Sequence, residues 1–200
     1  MGPRQVGKTT LLRLLEDYAR SKGFKTAFFD LEQPQVLADF NRSDKEILRR
    51  ISEAGEVVFI DEFQYVANIS KIFKAIFDSR RKIKIICSGS SSLEIHSHLK
   101  ESLAGRKFLY RVYPLNYDEL KSSLPDYSLE EYLIFGGMPG LVSAFPPERK
   151  QQILNELLGS YILKDVKSLI KEENIRAFNH LVYLLAQRQG SVLSVHSLAA

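Results

Sequence analysis

Leu11, Leu12, Leu14, Leu15, Tyr18 and Ala19 recur at helical spacing, and Gly23 follows where a helix of that length would need a C-terminal cap. Thr26 to Leu31 reads as a strand. Ser43-Asp44 opens a second helix through Ile47, Leu48 and Ile51, which stops near Gly55. Val57-Val58-Phe59-Ile60-Asp61 is apolar at nearly every position, the pattern of a strand covered on both faces. Ile69, Ile72, Phe73, Ile76 and Phe77 line one face of the next helix. Residues 83–88 and 107–112 complete the set as a third and a fourth strand. Strands alternating with helices predict parallel βα units and an α/β sheet.

The pattern changes at Pro114. Beyond it lie Leu-rich helical stretches at 128–135, about 148–165 and about 174–187, punctuated by Pro139, Pro146 and Pro147. Ile153, Leu154, Leu157, Leu158, Tyr161 and Ile162 form one stripe in this region. The expected organisation is an α/β core over 1–113, a helical lid or linker over 114–150, and a further helical segment over 151–200.

Composition changes this picture little. Apolar residues are 44% and charged residues 26% of the 200, enough for a packed core. The single cysteine, Cys87, excludes an internal disulfide and fits a small buried hydrophobe. Uninterrupted apolar runs fall far short of the ~18–20 residues needed to cross a bilayer, and no secretory signal stands at the front, so a cytoplasmic protein without a membrane partner is expected. The net charge of +4 permits an anionic partner without demanding one. His96, His98, His180 and His196 show no metal-ligand spacing with acids or with Cys87.

The chemistry sits in two places. Gly2-Pro3-Arg4-Gln5-Val6-Gly7-Lys8-Thr9 matches G-x-x-x-x-G-K-[ST] in full, with Thr10 following. Glycines let such a loop curl until successive backbone N–H groups converge on phosphate oxygens, and the helix after it aims its positive dipole end at the same anions. Lys8 supplies a point charge for the β- and γ-phosphates, and the Thr9 hydroxyl is a hard oxygen ligand for Mg²⁺. The second place is Asp61-Glu62, delivered by an apolar strand, the arrangement of a Walker B acid. Asp61 would hold Mg²⁺ opposite Thr9, and Glu62 would orient and deprotonate the attacking water. Ser88 follows the third strand directly and is placed to touch the γ-phosphate or the water. Ser90 and Ser91 read equally as helix N-caps. Arg106 precedes the fourth strand, and three readings stand: a phosphate-sensing arginine, an arginine finger acting on a neighbouring subunit, or an exposed strand-flanking side chain.

Taken in order, Gly2 to Thr10, Phe59-Ile60-Asp61-Glu62-Phe63-Gln64, Ser88 to Ser91, Leu103-Ala104-Gly105-Arg106, Tyr113-Pro114-Leu115 with Glu119, and Gly136-Gly137-Met138-Pro139 resemble the prokaryotic AAA-type ATPases that carry a C-terminal domain of unknown function. The resemblance implies an AAA/ASCE-type P-loop NTPase core, a helical lid and the start of a winged-helix-like segment. It also implies Mg²⁺-dependent ATP hydrolysis coupled to conformational change in appended domains. The alternative is an ATP-dependent switch or DNA-associated regulator with slow or no hydrolysis. A P-loop kinase is disfavoured by the Asp61-Glu62 pair. DNA contact through the C-terminal region rests on Lys164, Lys167, Lys171, Arg176 and Arg188, for which a solvated helix face is the simpler reading. Assembly into oligomers is left open. The family pattern also places a strand just ahead of the loop, between 83–88 and 107–112. Gly190 to Ala200 reads as the turn and second helix of a winged-helix unit, with Ser194 as N-cap. The expectation is therefore a segment of a longer protein, missing its first central strand, that folds poorly or binds ATP weakly when isolated.

Overall fold

The computed structural model describes residues 1–79, 82–89, 103–144, 146–160 and 174–195. The chain forms two compact units, Met1–Ser143 and Ala144–Ala200.

In the first unit three parallel strands, β1 (Thr26–Asp30), β2 (Val57–Asp61) and β3 (Lys84–Cys87), lie in the order β1-β2-β3. Phe28 stands opposite Phe59, and Phe59 opposite Ile86. The alternation along β2 shows why it is apolar at nearly every position. Val57 and Phe59 pack with Leu12 and Ala19 of α1 (Lys8–Ser21) on one face. Val58 and Ile60 join Phe40, Ile47, Ile51, Ile72 and Ile76 on the other. Those last side chains come from α2 (Pro34–Phe40), α3 (Asp44–Ala54) and α4 (Ile69–Asp78). The result is a three-layer α/β core.

Local chemistry sets the element ends. Ser43 and Glu46 form a reciprocal capping box at the start of α3. Gly23, with φ 85°, takes the left-handed turn after α1. The buried Glu16 carboxylate accepts from Arg20 at 2.8 Å, Arg13 at 3.3 Å and Thr26 Oγ1 at 3.3 Å, while the Arg13 guanidinium lies 3.4 Å from the centre of the Phe28 ring. These contacts fasten α1 to β1. Burial pushes the Cys87 thiol up to about 12, so it stays uncharged against the core near neutral pH.

The predicted fourth strand is not one. Residues 107–112 form no ladder with β3. Instead the Met1 ammonium donates to the Tyr110 carbonyl at 2.7 Å, and Val112 N donates to the Met1 carbonyl at 2.7 Å. That is the bonding pattern of a parallel ladder, one residue long. Between β3 and this segment runs a groove of about 560 Å³, bounded by Ile85, Leu11, Leu15, Phe77, Phe108 and Tyr110, with Met1 among its lining residues. Phe108 is 89% and Tyr110 74% exposed. Among the described residues only Met1 pairs with this segment, and a single bridge does not make a strand. Desolvation lowers the pKa of the Met1 ammonium below its ordinary 8.0.

Three helices complete the described part of the first unit: α5 (Tyr117–Ser123), α6 (Leu129–Phe135) and the short α7 (Pro139–Val142). Asn116 with Glu119 caps α5, and Ser128 caps α6. Within the second unit the structure describes α8 (Pro147–Ser160) and α9 (Ile175–Gln187). Of the predicted stripe on α8, Leu157 is buried and Leu158 exposed; Tyr161 and Ile162 lie outside the described residues. Among the described residues no helix is long and apolar enough to cross a membrane.

Candidate functional site

The loop before α1 is shaped by backbone constraints. A Cβ on Gly2 would stand 2.1 Å from the Val112 carbonyl oxygen, so only glycine allows this approach. Gln5 (φ 60°) and Gly7 (φ 88°) both take the left-handed conformation, which curls the chain back on itself. At Gln5, which has a Cβ, that conformation costs about 1–3 kcal/mol, a strain typical of functional loops. Gly7 is also the N-cap of α1 and brings no side chain to its N-terminal N–H groups. Lys8, 7% exposed, folds over its own loop: its Nζ donates to the Gly2 carbonyl at 3.1 Å and to the Pro3 carbonyl at 2.7 Å. Thr9 and Thr10 are exposed in the first turn of α1. Arg4 is half-buried, Gln5 exposed and Val6 buried.

The acidic half is carried by the tip of β2. The sheet's hydrogen bonding runs past the strand ends: Ser88 N donates to the Ile60 carbonyl at 2.9 Å, and Phe63 N to the Ser88 carbonyl at 3.0 Å. This ladder sets Ser88 (4% exposed) beside Asp61 (2% exposed). The Ser88 hydroxyl donates to Asp61 Oδ1, which also accepts from Glu62 N at 3.2 Å. Glu62 then turns out of the strand with φ 53° and ψ 47°. Its Oε1 lies 4.0 Å from Lys8 Nζ, and its Oε2 accepts from the Gln64 amide.

Of the residues predicted to carry chemistry, the structure thus brings Lys8, Asp61, Glu62 and Ser88 together. It does not bring Arg106 to them. Arg106 Nε donates to Asp78 Oδ1 at 3.3 Å, and its guanidinium lies 5.6 Å from the centre of the Phe77 ring, at the C-terminal end of α4. Arg106 thus rests against the end of α4. Ser90 and Ser91 lie outside the described residues.

Two features escaped the sequence reading. Gln64 holds Glu62, and nothing but its place two residues after the acid pair hinted at this. The second is the turn from Gly136 to Gly140. Leu115 N donates to the Gly137 carbonyl at 2.8 Å, and a Cβ on Gly137 would meet the Leu115 oxygen at 1.7 Å, so no side chain fits there. This anchors Pro139 beside the loop: its Cγ would lie 3.8 Å from a Cβ built on Gly7. Two adjacent glycines before Met138-Pro139 were the available signal.

The electrostatics suit an anion. Lys8 is a buried cation held by two neutral carbonyls, with one carboxylate at the limit of ion-pair range, and such a charge is expensive to bury unless paired. The Asp61 carboxylate at the tip of β2 and the exposed Thr9 hydroxyl in the first turn of α1 are oxygen donors of the hard type that Mg²⁺ prefers. Among the described residues no three His, Cys, Asp or Glu side chains gather into a metal cage. That donor set fits a Mg²⁺ that keeps waters and shares its remaining positions with phosphate oxygens.

Uncharacterized protein MJ1544 of Methanocaldococcus jannaschii is 28% identical across 99% of this chain and 48% of its own length. Uncharacterized protein Rv2008c of Mycobacterium tuberculosis is 26% identical across 99% of this chain and 42% of its own length. The chain thus spans about half the length of the curated relatives it matches. Among solved structures, AMPPCP-bound DnaA from Aquifex aeolicus aligns with a TM-score of 0.45 at 15% identity, over 92% of this chain and 61% of that one. The Aeropyrum pernix ORC1 protein in complex with DNA aligns with a TM-score of 0.41 at 13% identity, over 98% of this chain and 62% of that one. Residues 126–200 match a domain of unknown function (DUF8612). Residues 1–121 match the AAA domain, and the chain belongs to that family.

Proposed function

We propose that this chain binds ATP and hydrolyses it with Mg²⁺, and that the cycle drives conformational change in the domains attached to it. The observation that carries the reading is the convergence of Lys8, Asp61, Glu62 and Ser88 where the glycine loop meets the ends of β2 and β3.

In this reading the backbone N–H groups of residues 4–9 and the Lys8 ammonium hold the phosphates. Lys8 exchanges its two loop carbonyls for phosphate oxygens as the nucleotide enters. Asp61 and Thr9 would hold Mg²⁺, which would supply charge neutralisation for the phosphates. Ser88, tied to Asp61, fixes that carboxylate's orientation. Glu62 accepts the proton of the attacking water; its αL turn out of β2 leaves Oε1 on the side of Lys8. The Gly136–Gly140 turn, anchored at Leu115, closes over the loop. In this reading Arg106, bonded to Asp78 at the C-terminal end of α4, takes no part in the chemistry at this chain's own nucleotide.

The test is phosphate release from ATP in the absence of any acceptor. The reading predicts inorganic phosphate and ADP in equal amounts, released only with Mg²⁺ present. Nucleotide binding with no phosphate release would leave the switch reading in its place.

A further inference from the structure

The Gln64 amide donates to Glu62 Oε2, while Glu62 Oε1 faces Lys8 at 4.0 Å. The opposite orientation of the amide would set its oxygen against a carboxylate, so the donor must face Glu62. That choice has a cost. Gln64 Oε1 is buried and, among the described residues, has no hydrogen-bond partner. A buried acceptor left unsatisfied is destabilising, because its hydration is lost without replacement. On the side of β3 the amide fills space that only a glycine leaves: a Cβ on Gly89 would stand 2.7 Å from Gln64 Oε1 and 2.7 Å from the Phe63 ring. The backbone on both sides is fixed as well. Phe63 N is bonded to Ser88, and Tyr65 N donates to the Glu62 carbonyl at 3.1 Å, closing the short turn Phe63–Tyr65.

A residue that forgoes a hydrogen bond of its own to hold one oxygen of a carboxylate fixes where the other oxygen points. We infer that Gln64 is a positioning residue for Glu62: it pins Oε2 so that Oε1 is presented toward the Lys8 side of the loop, where the terminal phosphate and its attacking water would lie. The inference rests on the hydrolysis reading above. Without the amide, the carboxylate rotates among several rotamers and is drawn onto Lys8. Nucleotide still binds, because the Gln64 amide bonds to Glu62 and not to the loop or Lys8, but the water is no longer met in a reactive geometry.

The experiment is steady-state hydrolysis of Mg-ATP by the intact protein and its variants. Gln64→Leu is expected to lower kcat about 10- to 100-fold with KM within about twofold. Gln64→Glu keeps the shape and removes the donor, and is expected to fall as far, which separates the loss of the proton from any loss of fold. In a Glu62→Gln background, Gln64→Leu is expected to add no further loss, since the two act as one unit. If wild type turns over and Gln64→Glu keeps its kcat, or if the two losses multiply, the positioning role is wrong while hydrolysis stands. If wild type binds Mg-ATP and releases no phosphate, the hydrolysis reading fails and the role assigned to Gln64 fails with it.

Discussion

Glu62→Gln is expected to bind Mg-ATP within a fewfold of wild type and to lose about 10²–10⁴ of its hydrolysis rate. The geometry separates the two effects. Lys8 is held by Gly2 and Pro3 carbonyls, and Asp61 by Ser88 and the Glu62 backbone N–H. Both groups keep these hydrogen-bond partners when the Glu62 side chain loses its charge. The amide keeps the length of the carboxylate and so fills the same space, but it cannot accept the proton of the water. Single-turnover phosphate release, measured beside equilibrium binding of a fluorescent ATP analogue, reads both quantities. A variant that hydrolyses ATP at the wild-type rate would remove Glu62 from the role of base.

The second large effect concerns stability. A chain extended ahead of Met1 by five apolar residues in strand conformation is expected to be more stable than residues 1–200 alone by on the order of 5 kcal/mol. The groove between β3 and residues 107–112 is apolar on its walls and about 560 Å³ in volume. Among the described residues β3 is the edge of the sheet, and Met1 already makes both bonds of a parallel ladder with Tyr110 and Val112. An added strand would continue that ladder between β3 and residues 107–112. Burying each apolar side chain contributes about 1.5–3 kcal/mol. Ordering each residue costs about 1–2 kcal/mol, and each new backbone hydrogen bond returns about 1 kcal/mol. An amide N–H in place of the ammonium would also make the Tyr110 bond without the desolvation that lowers the Met1 pKa. Equilibrium urea unfolding of the two chains measures the difference. Equal midpoints would mean that the groove does not take a strand.

The parts of the site that were legible in the sequence are those written in contiguous residues. The octapeptide at 2–9 and the apolar run ending in Asp61-Glu62 each specify their own local geometry. Ser88 could be placed because β3 runs parallel to β2 and delivers its next residue at the same level. What could not be read depends on distant partners. Residues 107–112 alternate like a strand, but a strand is made by its neighbours, and among the described residues the pairing seen here is with Met1. Helix α2 is only seven residues long and opens with Pro34, too short for a stripe to show. Arg106 adjoins the right segment of chain, yet Asp78 and Phe77 on α4 determine where its guanidinium rests. The approach of Pro139 to Gly7 follows from the Gly137 contact with Leu115, a tertiary fit that the glycine permits but does not announce.

The central claim is that the buried Lys8 ammonium and the curled loop before α1 exist to receive a triphosphate. Equilibrium titration of the intact protein with ATP and Mg²⁺, beside Lys8→Ala, tests it most directly. The account predicts saturable binding with a dissociation constant on the order of micromolar, weakened about 10- to 100-fold or more in Lys8→Ala, since an ion-paired hydrogen bond to phosphate is worth about 1.5–3 kcal/mol. Equal affinities for the two proteins, or no binding to either, would contradict it.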